Sequence, residues 1–257
     1  MDILFGGLPV WAFLLACGVS FLAGFVKGAI GFALPLVMIA ILPSFMPAQT
    51  ALAALILPIL VTNLLQSLRS GFAEAYASGR KFWRFIAASV AGIAISAPFV
   101  VILPQSMMFL LLGGAVLVFS VLQLSGWTPH IPASRRAVFE TGTGLIAGLY
   151  GGISGVWGPP TLVYLMAIKV EKREMVRVLN VIFMVGAMML VAAHLRSGVL
   201  NAQTIPLSLA MLPPSILGLK LGYIVQDRLD AERFRRYALI TLCIIALNLL
   251  RRGVVGD

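Results

Sequence analysis

From Leu8 onward the chain alternates long apolar runs with short polar ones. Ten apolar segments stand out, near 8–26, 28–43, 48–68, 82–103, 106–126, 138–152, 155–169, 175–195, 203–226 and 232–250. Most approach the roughly 20 residues that an α-helix needs to cross a bilayer. The sizeable polar stretches between them are "RSGFAEAYASGRKFWR", "SGWTPHIPASRR", "KVEKREMVR" and "QDRLDAERFRR", and none could hold a soluble domain. Backbone in lipid must satisfy its own hydrogen bonds, so the pattern predicts helices throughout. The stretch after Met1 carries Asp2 and no basic region, and reads as a retained span instead of a cleaved leader.

Two places break the pattern. "GLYGGISGVWGPP", Gly148 to Pro160, places five glycines and two prolines between apolar runs. "LAGFVKGAIGFALPL" from Leu22 aligns with "IAGLYGGISGVWGPP" from Ile146 at an offset of 124, so that Ala23, Gly24, Gly28, Gly31 and Pro35 fall on Ala147, Gly148, Gly152, Gly155 and Pro159. Further on, Asn63 resembles Asn180, and Gly92 and Ser96 fall near Gly218 and Gly222 as small-xxx-small patterns that admit close helix contacts. The expectation is two homologous halves, an N-terminal transmembrane repeat at 1–127 and a C-terminal one at 128–257.

Charge orients the segments. The stretches at 69–84, 135–136, 169–177 and 228–236 hold 14 of the 19 Lys and Arg residues and are expected on the cytoplasmic side. Residues 138–169 then enter and leave on one side as a hairpin tipped by "GGISGVWGPP", and the hairpin at 8–43 enters from the other. The predicted fold is therefore an all-α polytopic membrane protein of two inverted repeats, each a Gly/Pro-tipped helical hairpin plus three spanning helices, with about 8–10 membrane segments. This scheme leaves Arg251 and Arg252 outside.

Composition sharpens the picture. The chain is 60% hydrophobic and 11% charged, with a mean hydropathy of +1.02, against roughly 45–50% and about 25% in soluble domains. The net charge of +10 sits in short loops, which suits membrane orientation and argues against a nucleic-acid partner. Cys17 and Cys243 lie within apolar segments, so neither a disulfide framework nor a metal site is expected. No cofactor is implied, and no HExxH, carboxylate dyad or nucleophile–base pair points to an enzyme. Acidic rings that would select cations are absent too. The lipid bilayer is the expected surround, and the small-residue faces leave a homo-oligomer open.

The tips supply the chemistry. Gly allows the dihedrals of a reversal and Pro suits the first turn of the helix leaving it. Each tip then presents backbone N–H groups at the positive end of a helix dipole, which is an anion site. Gly28 and Gly31 in the first tip, and Gly152 and Gly155 in the second, are the backbone candidates. Lys27 sits in the first tip, "VKGAIG", where a cation is costly enough to be a functional candidate, with snorkelling to the interface as the alternative. Asn63 and Gln66 share one helix face, Asn180 has the equivalent place in the second half, and Ser154, Trp157 and Lys220 complete the substrate-binding candidates, with Tyr150 also beside the second tip. Each of these has a bland reading: an interhelical hydrogen bond, a hydroxyl bonded to its own backbone, ring packing, or snorkelling. His130 and His194 read as solvated residues at loop and helix ends. No acid lies deep in a span; Glu140 is nearest, close to the start of its segment.

On "AGFVKGAIGFALP", "AGLYGGISGVWGPP", the Asn in the following helix of each half, and "LGLKLGYIVQDRLDAERFRRYALITLCIIALNLL", the sequence resembles the sulfite exporter TauE/SafE family. Ala29, Phe32 and Ala33 stand where many relatives are richer in glycine. The resemblance implies a multi-pass transporter of the inner (cytoplasmic) membrane that exports small sulfur-containing anions, sulfite or short organosulfonates such as sulfoacetate. Import or exchange of another small organic anion, and a non-transporting membrane assembly factor, are the alternatives.

Overall fold

The computed structural model describes residues 5–69, 72–126, 131–226 and 231–255; Asp2, His130, Arg228 and the repeat boundary at 127–128 lie outside them. Every regular element described is helical: α1 (Val10–Ile30), α2 (Leu34–Ile41), α3 (Ala48–Arg69), α4 (Phe72–Lys81), α5 (Trp83–Ser96), α6 (Gln105–Ser125), α7 (Arg136–Ser154), α8 (Gly158–Ala167), α9 (Lys172–Ser197), α10 (Thr204–Ala210), α11 (Leu212–Gln226) and α12 (Ala231–Val255). Single 3₁₀ turns extend α2 to Ser44 and α5 to Val101. Among the described residues, seven helical stretches are long and apolar enough to cross a membrane: α1, α3, α5 with its 3₁₀ extension, α6, α9, α10 with α11, and α12.

The described residues fall into two compact units, each drawing on both halves of the sequence. The first holds residues up to Ile59, Val100–Trp127 and Gly198 onward; the second holds Leu60–Phe99 and Thr128–Ser197. In the first unit α1 packs along α11 and α6 along α12. Small residues set the distance between α1 and α11. A Cβ built at Gly24 would come 2.1 Å from Ser215 O, and one at Gly28 would come 2.3 Å from Leu219 O. Gly218 and Gly222 answer from α11, with built Cβ atoms 2.1 Å from Phe21 O and 2.3 Å from Phe25 O. Here the small-xxx-small pattern lets two backbones touch, and in lipid that contact is the main source of association. At the far end of α12, the Arg252 guanidinium donates to Pro43 O and lies 4.6 Å from the centre of the Phe109 ring. A base left at the expected outer side is thereby satisfied by the end of the α2 turn.

The second unit holds a backbone contact of the same kind between other helices. α7 packs along α5, and a Cβ at Gly148 would come 2.1 Å from Ser89 O. Gly92 sits against Leu149 N and Leu145 O, and Gly144 against Phe85 O. Ser89 and Ser215 stand 126 residues apart, and Gly24 and Gly148 stand 124 apart. The same contact is thus made twice within different units.

The structure corrects two details of the sequence reading. The first break lies at Gly31–Ala33 instead of at Lys27, because α1 continues through Lys27 and Gly28 to Ile30. Gly28 is helical and is there for contact with α11, not for turning. Residues 72–81, read as loop, form α4; the run is rich in Ala and closes on Arg80 and Lys81, which favour a helix C-terminus.

Ala33 caps α2 with φ 86°, ψ −4°, a left-handed conformation that costs an L-residue about 1–2 kcal/mol. Ala33→Gly is expected to raise the melting temperature in detergent, with a gain of about 1 kcal/mol. Gly31→Ala, at φ 88° with open space around the new Cβ, should lower it through backbone strain alone. Equal melting of wild type and both variants would refute this geometry.

Candidate functional site

The two hairpin tips share their local construction. α1 ends in Gly31 (φ 88°, ψ −11°), whose N–H donates to Lys27 O at 2.8 Å; α7 ends in Gly155 (φ 72°, ψ 9°), whose N–H donates to Gly151 O at 2.7 Å. Both caps are left-handed, the conformation that Gly adopts without penalty. α2 and α8 then start with Pro35 and Pro159 in their first turns, where the missing N–H is no loss. The amides of Phe32, Ala33 and Leu34 in the first tip, and of Trp157 and Gly158 in the second, make no hydrogen bond among the described residues. They stand at helix N-termini, where the dipole is positive.

In the first unit, Lys27 occupies the last turn of α1 and is 1% exposed. It lies five to seven residues before the unbonded amides. Gly28 and Gly31 belong to the same end of α1. Lys220 is exposed on α11, on the side away from Gly218 and Gly222, and the structure does not gather it with Lys27.

The second unit brings together most of the other candidates. The Ser154 hydroxyl donates to Tyr150 O at 2.8 Å and accepts from Val156 N at 3.0 Å, so its proton is spent on its own helix and its oxygen shapes the tip. The Trp157 ring packs against Gly151 and Gly186 and meets Phe183 edge-on at 6.3 Å. The Asn63 amide donates to Phe183 O at 2.9 Å, and the Ser67 hydroxyl donates to Asn180 O at 3.1 Å. The C-terminal part of α3 is thereby fastened to α9, the helix that also carries the Trp157 contacts. Asn180 and Gln66 are both buried.

His194 corrects the sequence reading most sharply. It is fully buried, and its Nε2 lies 2.9 Å from Gly152 O. A carbonyl only accepts, so Nε2 carries the proton and Nδ1 is left to pair with the Ser197 hydroxyl at 3.2 Å. Gly152 O lies in the last turn of α7, where carbonyls lack an intrahelical donor, and the imidazole supplies one. The sequence carries part of the signal: His194 follows Asn180 by 14 residues, about four helical turns, and so shares its helix face, though not what covers that face.

Glu140 is also buried, at 4% exposure. Its Oε1 accepts from Phe85 N at 3.4 Å and its Oε2 from the Tyr164 hydroxyl at 3.3 Å, while the Tyr164 and Phe85 rings stack at 5.5 Å. Phe85 is in the first turn of α5, so the carboxylate meets both an orphan amide and the positive end of a dipole. Among the described residues no group of His, Cys, Asp and Glu is placed to hold a metal ion.

No curated protein and no solved structure matches the chain. A family model described as sulfite exporter TauE/SafE matches residues 16–249. The match runs from the middle of α1 to the last turns of α12 and takes in both tips with the helices packed against them. On that coverage the chain belongs to the sulfite exporter TauE/SafE family of membrane transporters.

Proposed function

We propose that this protein exports small sulfur-containing anions, sulfite or a short organosulfonate such as sulfoacetate, across the cytoplasmic membrane. The observation that carries the reading is the end of α1, where a buried Lys27 is followed five to seven residues on by the unbonded amides of Phe32, Ala33 and Leu34. A cation and a helix N-terminus there favour the same ligand, a compact oxyanion. The second tip repeats the layout with Gly155 and Pro159, which supports a plan of two repeats, each offering one such tip; their inversion across the membrane is part of the proposal. Anion exit needs no carboxylate proton carrier, because an inside-negative potential favours it by about 2.3 kcal/mol per charge per 100 mV.

The test is flux of radiolabelled sulfite and sulfoacetate in proteoliposomes under an imposed potential. Lys27→Met keeps the volume of the side chain and removes its charge, and is expected to lower flux at least about tenfold, the worth of one charge-assisted hydrogen bond. Lys27→Arg should retain part of it. Unchanged flux in Lys27→Met would dismiss the lysine as a ligand, and the absence of flux of either anion by folded wild type would dismiss the substrate class.

A further inference from the structure

The second unit carries a groove of about 680 Å³ open at its surface, between α4, α5, α9 and the end of α3. That volume is within the roughly 300–1,000 Å³ usual for ligand sites. Its floor is apolar, formed by Leu64, Ile86, Val181, Met184 and Val185, with Ala87 beside them. Its rim is different. Tyr76 and Trp83, 68% and 57% exposed, stand there with Arg80.

The bases around the rim are not equivalent. Lys81 pairs with Glu174 and Arg177 with Glu74 at 3.3 Å, on the far side of α4. Arg80 is exposed and makes no ion pair among the described residues. Arg84 stacks over Trp83 at 5.3 Å from the ring centre, which adds a second positive charge beside the rim.

Depth selects the occupant. The apolar stretch of α9 begins at Glu174, and Val185 lies eleven residues further, about 16 Å along the axis. That is close to half of the ~30 Å hydrocarbon thickness, the depth of one leaflet. Trp83 begins the apolar stretch of α5, so the rim falls at the level where Trp and Tyr anchor and where anionic headgroups lie.

We propose that this groove binds an anionic phospholipid, with one acyl chain along the α5–α9 floor and the headgroup phosphate at Arg80, Arg84 and the Trp83 and Tyr76 donors. The site is independent of the transported anion. Native mass spectrometry of the full chain, delipidated in detergent and titrated with phosphatidylglycerol or phosphatidylcholine of identical chains, tests it. Wild type should retain one phosphatidylglycerol in preference to phosphatidylcholine. Arg80→Gln should reduce that preference about fivefold, the worth of one interfacial base, and Ala87→Phe should abolish retention of both lipids by filling the floor. Variants are compared only when they elute as wild type does on size exclusion. Equal retention of the two lipids by wild type, or a preference unmoved by Arg80→Gln, would overturn the headgroup assignment; retention unmoved by Ala87→Phe would overturn the groove itself.

Discussion

Gly148→Ala is expected to be among the most damaging single changes in this protein, although it adds one methyl group. The new Cβ would come 2.1 Å from Ser89 O, 2.7 Å from Ser89 C and 2.8 Å from Ser89 Cα, all backbone atoms that cannot rotate aside. α5 and α7 must then separate along their whole contact, and the expected cost is about 3 kcal/mol, the upper end of overpacking penalties. Gly142→Ala in the same helix is the control. Nothing lies within 4 Å of its built Cβ, and the intrinsic gain of Ala over Gly in a helix is about 1 kcal/mol. Fluorescence-detected size exclusion after a heat ramp should show Gly142→Ala at or above the wild-type midpoint and Gly148→Ala well below it. Similar midpoints for the two would mean that α5 and α7 are not packed backbone to backbone. Gly24→Ala, facing Ser215 O at the same 2.1 Å, should behave as Gly148→Ala does.

His194→Ala is expected to damage the second tip by a different route. It removes the donor to Gly152 O and leaves a buried carbonyl orphaned, at about 1–3 kcal/mol. The lost ring leaves a cavity beside the last turn of α7, which adds to the cost. His194→Gln places an amide N–H near the position of Nε2 and should recover much of the loss, whereas His194→Leu fills space without a donor and should not. Melting temperature and anion flux are both to be read for the three variants. Equal behaviour of the Gln and Leu variants would show that volume matters at this position and the hydrogen bond does not. Recovery of melting without recovery of flux would separate the stability of the tip from the proposed role of the tip in transport.

Several parts of this fold were legible from the chain because membranes impose local rules. Apolar runs of span length had to be helices, since no other open structure satisfies its backbone in lipid. The ten runs correspond to the ten helical stretches of the membrane-length and hairpin elements. Gly155 and Pro159 announced a reversal because their dihedral demands differ from those of a helix interior. The doubled motif likewise led to the pairs Gly31/Gly155 and Pro35/Pro159, which take the same local roles.

Other parts were illegible for an equally physical reason. A glycine that turns the chain and a glycine that admits a neighbour look alike in sequence, so Gly28 reads as part of the tip while it belongs to the α1–α11 contact. In sequence the hydroxyl of Ser154 and the amide of Asn63 could bond a ligand or a backbone carbonyl; their bonds to Tyr150 O and Phe183 O come from where those partners lie. His194 was polar, near a helix end and beside Arg196, and nothing local said that the last turn of α7 would come to lie against it.

The sequence by itself determined what must be helical and where the chain can reverse, because these follow from each residue's own backbone. Tertiary structure alone decided that α1 pairs with α11 and α7 with α5, that Lys27, Glu140 and His194 are buried, and which polar groups are already spent. Those outcomes depend on contacts between residues far apart in sequence, 191 positions for Gly24 and Ser215 in the first unit and 120 for Asn63 and Phe183 in the second, and burial is a property of the partner as much as of the residue.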